Sequence, residues 1–238
     1  MTTIIEKAKR IGVLSARVLE RERGRVQAAV WVQNQATIKV LNGQNTETSD
    51  FLKWIGDKGT EFVSSSPSGL TEAKNTIVKY LTYLSDNPDP DKAAGQVSKL
   101  STSIGVVVES QKVGARTLWK SYCASIKWEN PDIYAAFKND ETHGESVREL
   151  TEATRAYQGL VGEEFLKREE QRVGFDALLV THDRLIGLLP PMDDEEVKAF
   201  LVEAATAGAP LGRLTANVVK WLKDHRLTAK YSVRRRES

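Results

Sequence analysis

The chain has 238 residues, 40% of them hydrophobic and 28% charged, with 7 prolines, 16 glycines, one cysteine and a net charge of +2. A chain of this length can bury a sufficient core without staples, and the composition excludes fibrous, collagen-like and low-complexity classes. The lone Cys123 excludes an internal disulfide and reads as a small apolar filler in a reducing compartment, with the cytoplasm as the expected location.

The charge is unevenly spread. Residues 1–25 hold seven Lys/Arg against three Glu, and residues 210–238 hold eight against two acids, so the stretch between them carries −8 if the whole is +2. Basic ends flanking an acidic middle suit phosphate, an acidic partner or the protein's own centre.

The N-terminal stretch MTTIIEKAKRIGVLSARVLERERGRV places charges in every turn, so it reads as neither a signal peptide nor a membrane span. The apolar runs at 106–108 and 177–180 are also too short to cross a bilayer, and no membrane partner is expected. From Ile4 an apolar or small series runs Ile4, Ala8, Ile11, Ser15, Val18 and, beyond Glu22 to Arg25, resumes in the same 4-3 phase at Ala29, Val32 and Ala36. A helix of about forty residues would span roughly 60 Å. Over 26–41 the alternation of Val26, Ala28, Val30 and Val32 also permits a strand; the helix reading is preferred.

Asn42-Gly43 signals a turn or C-cap, and Ser49 or Asp50 offers the N-cap of a following helix. SSSPSG at 64–69 reads as a linker, and TEAKNTIVKYLTYL as an amphipathic helix stopped at SDNPDPD, with Pro90 placed for the first turn of the next. That next helix, from about 91 to 127, carries Val97, Leu100, Ile104, Val107, Gln111, Ala115, Leu118 and Tyr122 near 3.5-residue spacing. Its glycines at 95, 105 and 114 cost roughly 1 kcal/mol each, so it needs packing partners. PDIYAAFK is a short helix. A single long helical pattern then runs from Glu145 to about Leu189 through Val147, Leu150, Thr154, Tyr157, Val161, Phe165, Leu166, Val173, Ala177, Val180 and Leu185, ended by Pro190-Pro191.

The expected architecture is therefore mainly α: a long-helix bundle or antiparallel helical hairpins over 1–189, then a small basic helix-helix-strand module over 193–238. In that module DDEEVKAFLVEAATAG starts with acids that suit the helix dipole, Thr215 caps ANVVKWLKDHRL, and Tyr231 and Val233 alternate against charges as in a short strand. Helix, tight connection, helix and basic strand resemble the second half of a winged-helix domain over about 193–236, although GAPLGRL is too short for the usual middle helix. The resemblance implies phosphate contacts by Arg213, Lys220, Lys223, Arg226, Lys230, Arg234, Arg235 and Arg236.

Catalytic signals are sparse. The chain has no HExxH, no Cys/His zinc spacing, no GxxxxGK[ST] and no GxSxG, so no cofactor, metal or catalytic residue is expected. DNPDPD at 86–91 lacks the glycine and distal glutamate of a calcium loop. His143, His182 and His225 are the whole imidazole supply; His182 adjoins Asp183, but neighbours on a helix point about 100° apart, which argues against a dyad. Asp176, Asp183 and Glu163 are the carboxylates from which a motif-poor enzyme would have to draw. The five tryptophans, Trp31, Trp54, Trp119, Trp128 and Trp221, are scattered one per helix or helix end, with Trp54 and Trp221 on apolar faces.

Two functional readings follow. The leading one is a non-enzymatic helical subunit of a multiprotein or homo-oligomeric assembly, a scaffold with coiled-coil character whose first helix, through Ile4, Ile11, Val18 and Trp31, meets another chain. The alternative is a nucleic-acid-binding protein that uses its basic C-terminal module and N-terminal basic helix to contact phosphates.

Overall fold

The computed structural model describes residues 25–59, 70–86, 90–206 and 208–231. It is mainly helical, and no strand occurs among the described residues. Seven α-helices are described: α1 (Arg25–Gly56), α2 (Leu70–Asp86), α3 (Pro90–Ser125), α4 (Gly144–Val161), α5 (Glu169–Leu188), α6 (Glu195–Thr206) and α7 (Ala216–Asp224). Three 3-10 turns, Pro131–Phe137, Leu211–Arg213 and Thr228–Lys230, lie between or after them.

The chain divides into two compact units, one comprising residues through Ala124 with Glu164–Arg168, the other Ser125–Glu163 with Glu169 onward. Residues 193–231, expected to stand apart from 1–189, share the second unit with α4 and α5.

In the first unit α1 runs as one helix of 32 residues, through the expected turn at Asn42-Gly43 and the expected cap at Ser49-Asp50. The strand reading of 26–41 falls with it. The polar stretch QNTETSD stays helical because it lies between two apolar anchors in one 3.6-residue phase, Ile38 and Leu41 before it, Phe51 and Ile55 after it. Its hydroxyls bond back one turn: Thr46 Oγ1 donates to Asn42 O at 3.0 Å and the buried Thr48 to Gln44 O at 2.8 Å. Gln44 Oε1 in turn accepts from Lys112 Nζ on α3 at 2.8 Å.

That bond belongs to a constant register between α1 and α3. Gln44 meets Lys112, Phe51 meets Trp119 at 6.1 Å, and Trp54 meets Tyr122 at 6.2 Å, so the two helices run parallel. Further up, Leu41, Ile77, Tyr80, Leu81, Leu100, Ile104 and Val108 bring α2 into the same core. At the other end Phe51, Trp54, Trp119, Tyr122 and Phe165 form an aromatic cluster, with Trp54 and Trp119 6.2 Å apart. Here the expectation of scattered tryptophans is corrected. Spacing along the chain conceals a pairing made between helices.

The single helix expected from Glu145 to Leu189 is instead α4 and α5, separated by 162–168. Gly162 ends α4, its N–H bonded to Gln158 O, and the buried Phe165 and Leu166 enter the first unit's core rather than continuing the helical face. Both residues fit the apolar period, which is why the break is invisible to it.

In the second unit α4 and α5 form an antiparallel hairpin. His143, at the start of α4, contacts Leu188 O at the end of α5 through Nδ1 at 3.2 Å, while Tyr157 near the end of α4 stacks on Phe175 near the start of α5. Ile133, Tyr134, Phe137, Val147, Leu150, Leu185, Val197, Phe200, Leu201, Val218 and Leu222 form one core that joins the hairpin to α6 and α7.

Asp194 caps α6, its Oδ1 accepting from Glu196 N at 2.8 Å, and Thr215 caps α7 as its sequence implies, accepting from Val218 N at 3.3 Å. The strand expected around Tyr231 is absent among the described residues. Thr228–Lys230 makes a 3-10 turn, and Tyr231, the last described residue, takes an extended backbone, with its ring 5.3 Å from Phe200. Burial against α6 replaces strand pairing there, and Val233 lies outside the described residues.

Candidate interaction surfaces

α1 has two unlike faces. Ile38, Leu41, Thr48, Phe51 and Ile55 point to the first unit's core, whereas Ala29, Val32, Ala36, Val40 and Gly43 are exposed, with Val32 and Val40 at 60% and 59%. Isolated surface valines are ordinary. These residues recur every three or four positions and so lie along one side of the helix. Burying such a valine is worth about 1.5–3 kcal/mol relative to exposure, a gain that this face forgoes in the single chain. The sequence pointed to Ile4, Ile11, Val18 and Trp31. The first three lie outside the described residues, and of Trp31 only the helical backbone is described. Val40, off the strict 4-3 phase by one residue, escaped the sequence reading and is found on the same exposed side.

The basic residues of the C-terminal region have unequal roles. Arg213 pairs with Glu203 at 2.9 Å, and Lys230 Nζ donates to the backbone oxygen of Ala136 at 2.8 Å, so both serve internal contacts. Lys220, Lys223 and Arg226 are exposed around α7. Arg234, Arg235 and Arg236 lie outside the described residues.

Arg226 has a left-handed backbone, φ 55°, immediately after α7. Its N–H bonds Lys223 O at 3.0 Å and the next N–H, from Leu227, bonds Leu222 O at 2.8 Å. This double closure is a Schellman motif, in which Leu222 and Leu227 are both buried and the left-handed position ordinarily belongs to glycine. An arginine there costs of order 1–2 kcal/mol in backbone strain.

His182 is buried against Trp128, with ring centroids 4.3 Å apart, and Trp128 stacks on Tyr157 at 4.0 Å. The indole Nε1 donates to Thr154 Oγ1 at 2.9 Å. The backbone N–H of Glu129 donates to His182 Nε2 at 3.1 Å, which leaves the proton on Nδ1, 3.2 Å from Asp183 Oδ1. The sequence argument against a His182–Asp183 contact is thereby corrected, because side-chain torsions bridge the angle between adjacent helical positions. Both ring nitrogens are engaged, and the imidazole ties the 125–130 segment to α5.

Asp183 is 86% exposed, Glu163 is exposed after α4, and Asp176 is partly buried on α5. No group of three His, Cys, Asp or Glu suited to a metal occurs among the described residues. No helix there is long and apolar enough to cross a membrane.

Electrostatic shifts mark turns and packing sites. The Asp140 carboxylate is held below its ordinary range by the backbone N–H groups of His143 and Thr142, which it accepts at 3.0 Å each. Burial pushes the Tyr231 phenol up, and it pushes the Cys123 thiol up to about 11. Lys198 is raised despite partial desolvation, because Glu129 and Glu195 each stand 3.4 Å from its ammonium.

Comparison with protein-family models, curated proteins and solved structures found no match for the chain.

Proposed function

We propose that this protein is a non-enzymatic helical subunit of an assembly, a long-helix scaffold that meets itself or another protein through the outward face of α1. The observation that carries this reading is the line Ala29, Val32, Ala36, Val40, exposed along α1, a helix that packs into the core only from Ile38 onward. Light scattering after size exclusion at about 50 and 500 mM salt is the test, since apolar helix packing survives salt that screens charge. A species larger than one chain at both salts is expected, and Val32→Lys with Val40→Lys removes it while helicity is retained. Loss of assembly at high salt in the unsubstituted chain would overturn the apolar contact.

A second reading, phosphate contact by nucleic acid, is favoured by Lys220, Lys223 and the strained Arg226, joined by Arg234, Arg235 and Arg236. Binding of a short DNA duplex that weakens steeply with salt, and a shallower slope in Lys220→Ala with Lys223→Ala, are its expected results. An unchanged slope would remove α7 from that surface.

A further inference from the structure

All three histidines of the chain bind backbone within the second unit, and they do so with opposite polarity. His143 Nδ1 lies 3.2 Å from Leu188 O and His225 Nδ1 2.9 Å from Trp221 O, contacts in which the ring donates to a carbonyl. An added proton on the other nitrogen leaves those bonds in place. His182 is the exception, because its Nε2 accepts from the Glu129 N–H at 3.1 Å. A protonated ring carries an N–H on both nitrogens and has no lone pair to offer, so two donors would face each other there.

The other partners of the His182 ring survive protonation. Nδ1 stands 3.2 Å from Asp183 Oδ1, and that bond becomes charge-assisted when the ring is a cation. The imidazole lies 4.3 Å from the Trp128 ring, whose π-face attracts a cation. Trp128 is itself fixed by its stack on Tyr157 and by the bond from Nε1 to Thr154 Oγ1 at 2.9 Å. Of these contacts, the one from the Glu129 N–H is the one that acid breaks.

We infer that His182 is an acid-sensitive latch on the connection from α3 to the Pro131–Phe137 turn: the neutral ring holds the backbone at Glu129, and protonation releases it while Trp128 stays anchored. Only the neutral ring makes the bond, so the latch is closed at high pH and opens as pH falls through the titration of His182.

The released residue adjoins a structured turn. Asn130 Oδ1 accepts from Asp132 N at 3.0 Å and Asn130 O accepts from Ile133 N at 3.2 Å, which opens the turn. Ile133, Tyr134 and Phe137 of that turn belong to the core shared with α6 and α7. Release at Glu129 therefore loosens the entry to a core element.

Charged groups surround the latch on several elements. Asp183 lies on α5, Glu149 of α4 is paired with Arg184 at 2.7 Å, and the Glu129 carboxylate stands 3.4 Å from Lys198 on α6. α4 also brings the Tyr157 phenol and the Thr154 hydroxyl to Trp128. The Asp183 carboxylate stabilises the imidazolium directly. The Lys198–Glu129 pair does not involve the ring and remains as a second hold, so the backbone bond opens without unfolding the segment.

Nuclear magnetic resonance of the full 15N-labelled chain between about pH 8 and 5 tests the latch. As the His182 ring signals report protonation, the Glu129 amide is expected to shift with the same midpoint and to lose roughly tenfold in hydrogen-exchange protection factor. His182→Gln supplies an uncharged acceptor at every pH, and in it the Glu129 amide is expected to ignore acid. Should that variant not fold, Asp183→Asn serves, since it leaves the Nε2 bond in place and removes a charge from the Nδ1 side. In it the ring and amide midpoints are expected to move together to lower pH. A Glu129 amide that stays protected while the His182 ring takes its proton overturns the inference. So does a Glu129 transition that persists in His182→Gln, a ring midpoint that moves in Asp183→Asn without the amide's, or a ring that gains its proton only as the whole chain unfolds.

Discussion

The two units solve the same problem, keeping helices together, by different means. In the first, α1 and α3 lie in parallel register along long apolar faces, and the described hydroxyl bonds of α1 return to its own turns. In the second, hydroxyls also bond back to their own turns, but more bonds run across elements: Trp128 to Thr154, Glu129 to His182, Arg184 to Glu149, Thr215 to Glu196 and Lys230 to Ala136. Polar groups tied to their own helix leave its outer side available, whereas cross-element bonds commit both partners. If the assembly proposed above forms, the difference directs its test to α1.

The largest expected effect tests the second unit's core. Leu201→Ala, at a side chain 1% exposed, should cost about 2–5 kcal/mol in denaturant unfolding, while Val32→Ala should leave single-chain stability nearly unchanged. Equal costs would erase the distinction between the packed core and the outward face of α1.

Next comes Gly144, where an added Cβ would stand 2.8 Å from the Lys138 carbonyl oxygen, a backbone atom. Gly144→Ala should cost about 1–3 kcal/mol, read by thermal unfolding. His182→Ala should cost about 1–3 kcal/mol, because the Glu129 N–H loses its acceptor in a partly buried site. The matching change in the first unit, Thr48→Val, should cost under about 1 kcal/mol, since the hydroxyl serves only its own turn. A reversed order of these two would refute the contrast between stitched and self-satisfied polar groups.

Arg226→Gly should stabilise the chain by about 0.5–1 kcal/mol by relieving the left-handed backbone, and should weaken duplex binding if α7 contacts phosphate. The smallest effect is acidic. The Asp140 carboxyl is depressed in the folded state, so its stabilising contribution is full above the ordinary value of 3.8 and is lost as pH falls through the lower folded value. Asp140→Asn should flatten that limb of the stability profile, as followed by unfolding at stepped pH.

Helical periodicity was legible in the residues themselves. The starts at Pro90 and Thr215, the stop before Pro190 and the amphipathic faces of α2, α3 and α7 rest on local chemistry, which acts over three or four residues. Half of the candidate surface was legible as well, because Ala29, Val32 and Ala36 carry a phase that needs no structure to read. Non-local events decided the rest. QNTETSD stayed helical because Ile38 and Leu41 before it and Phe51 and Ile55 after it packed into the first unit's core, and α4 broke from α5 because Phe165 and Leu166 were buried in the first unit. Arg213 and Lys230, both exposed, meet Glu203 and the Ala136 carbonyl, partners that no spacing along the chain announces. Local sequence determined which residues were helical and which faces were apolar; tertiary contact decided which polar groups were already satisfied and which apolar face was left bare. That division has a physical reason: a side chain's partner is chosen by proximity in space, which spacing along the chain does not encode.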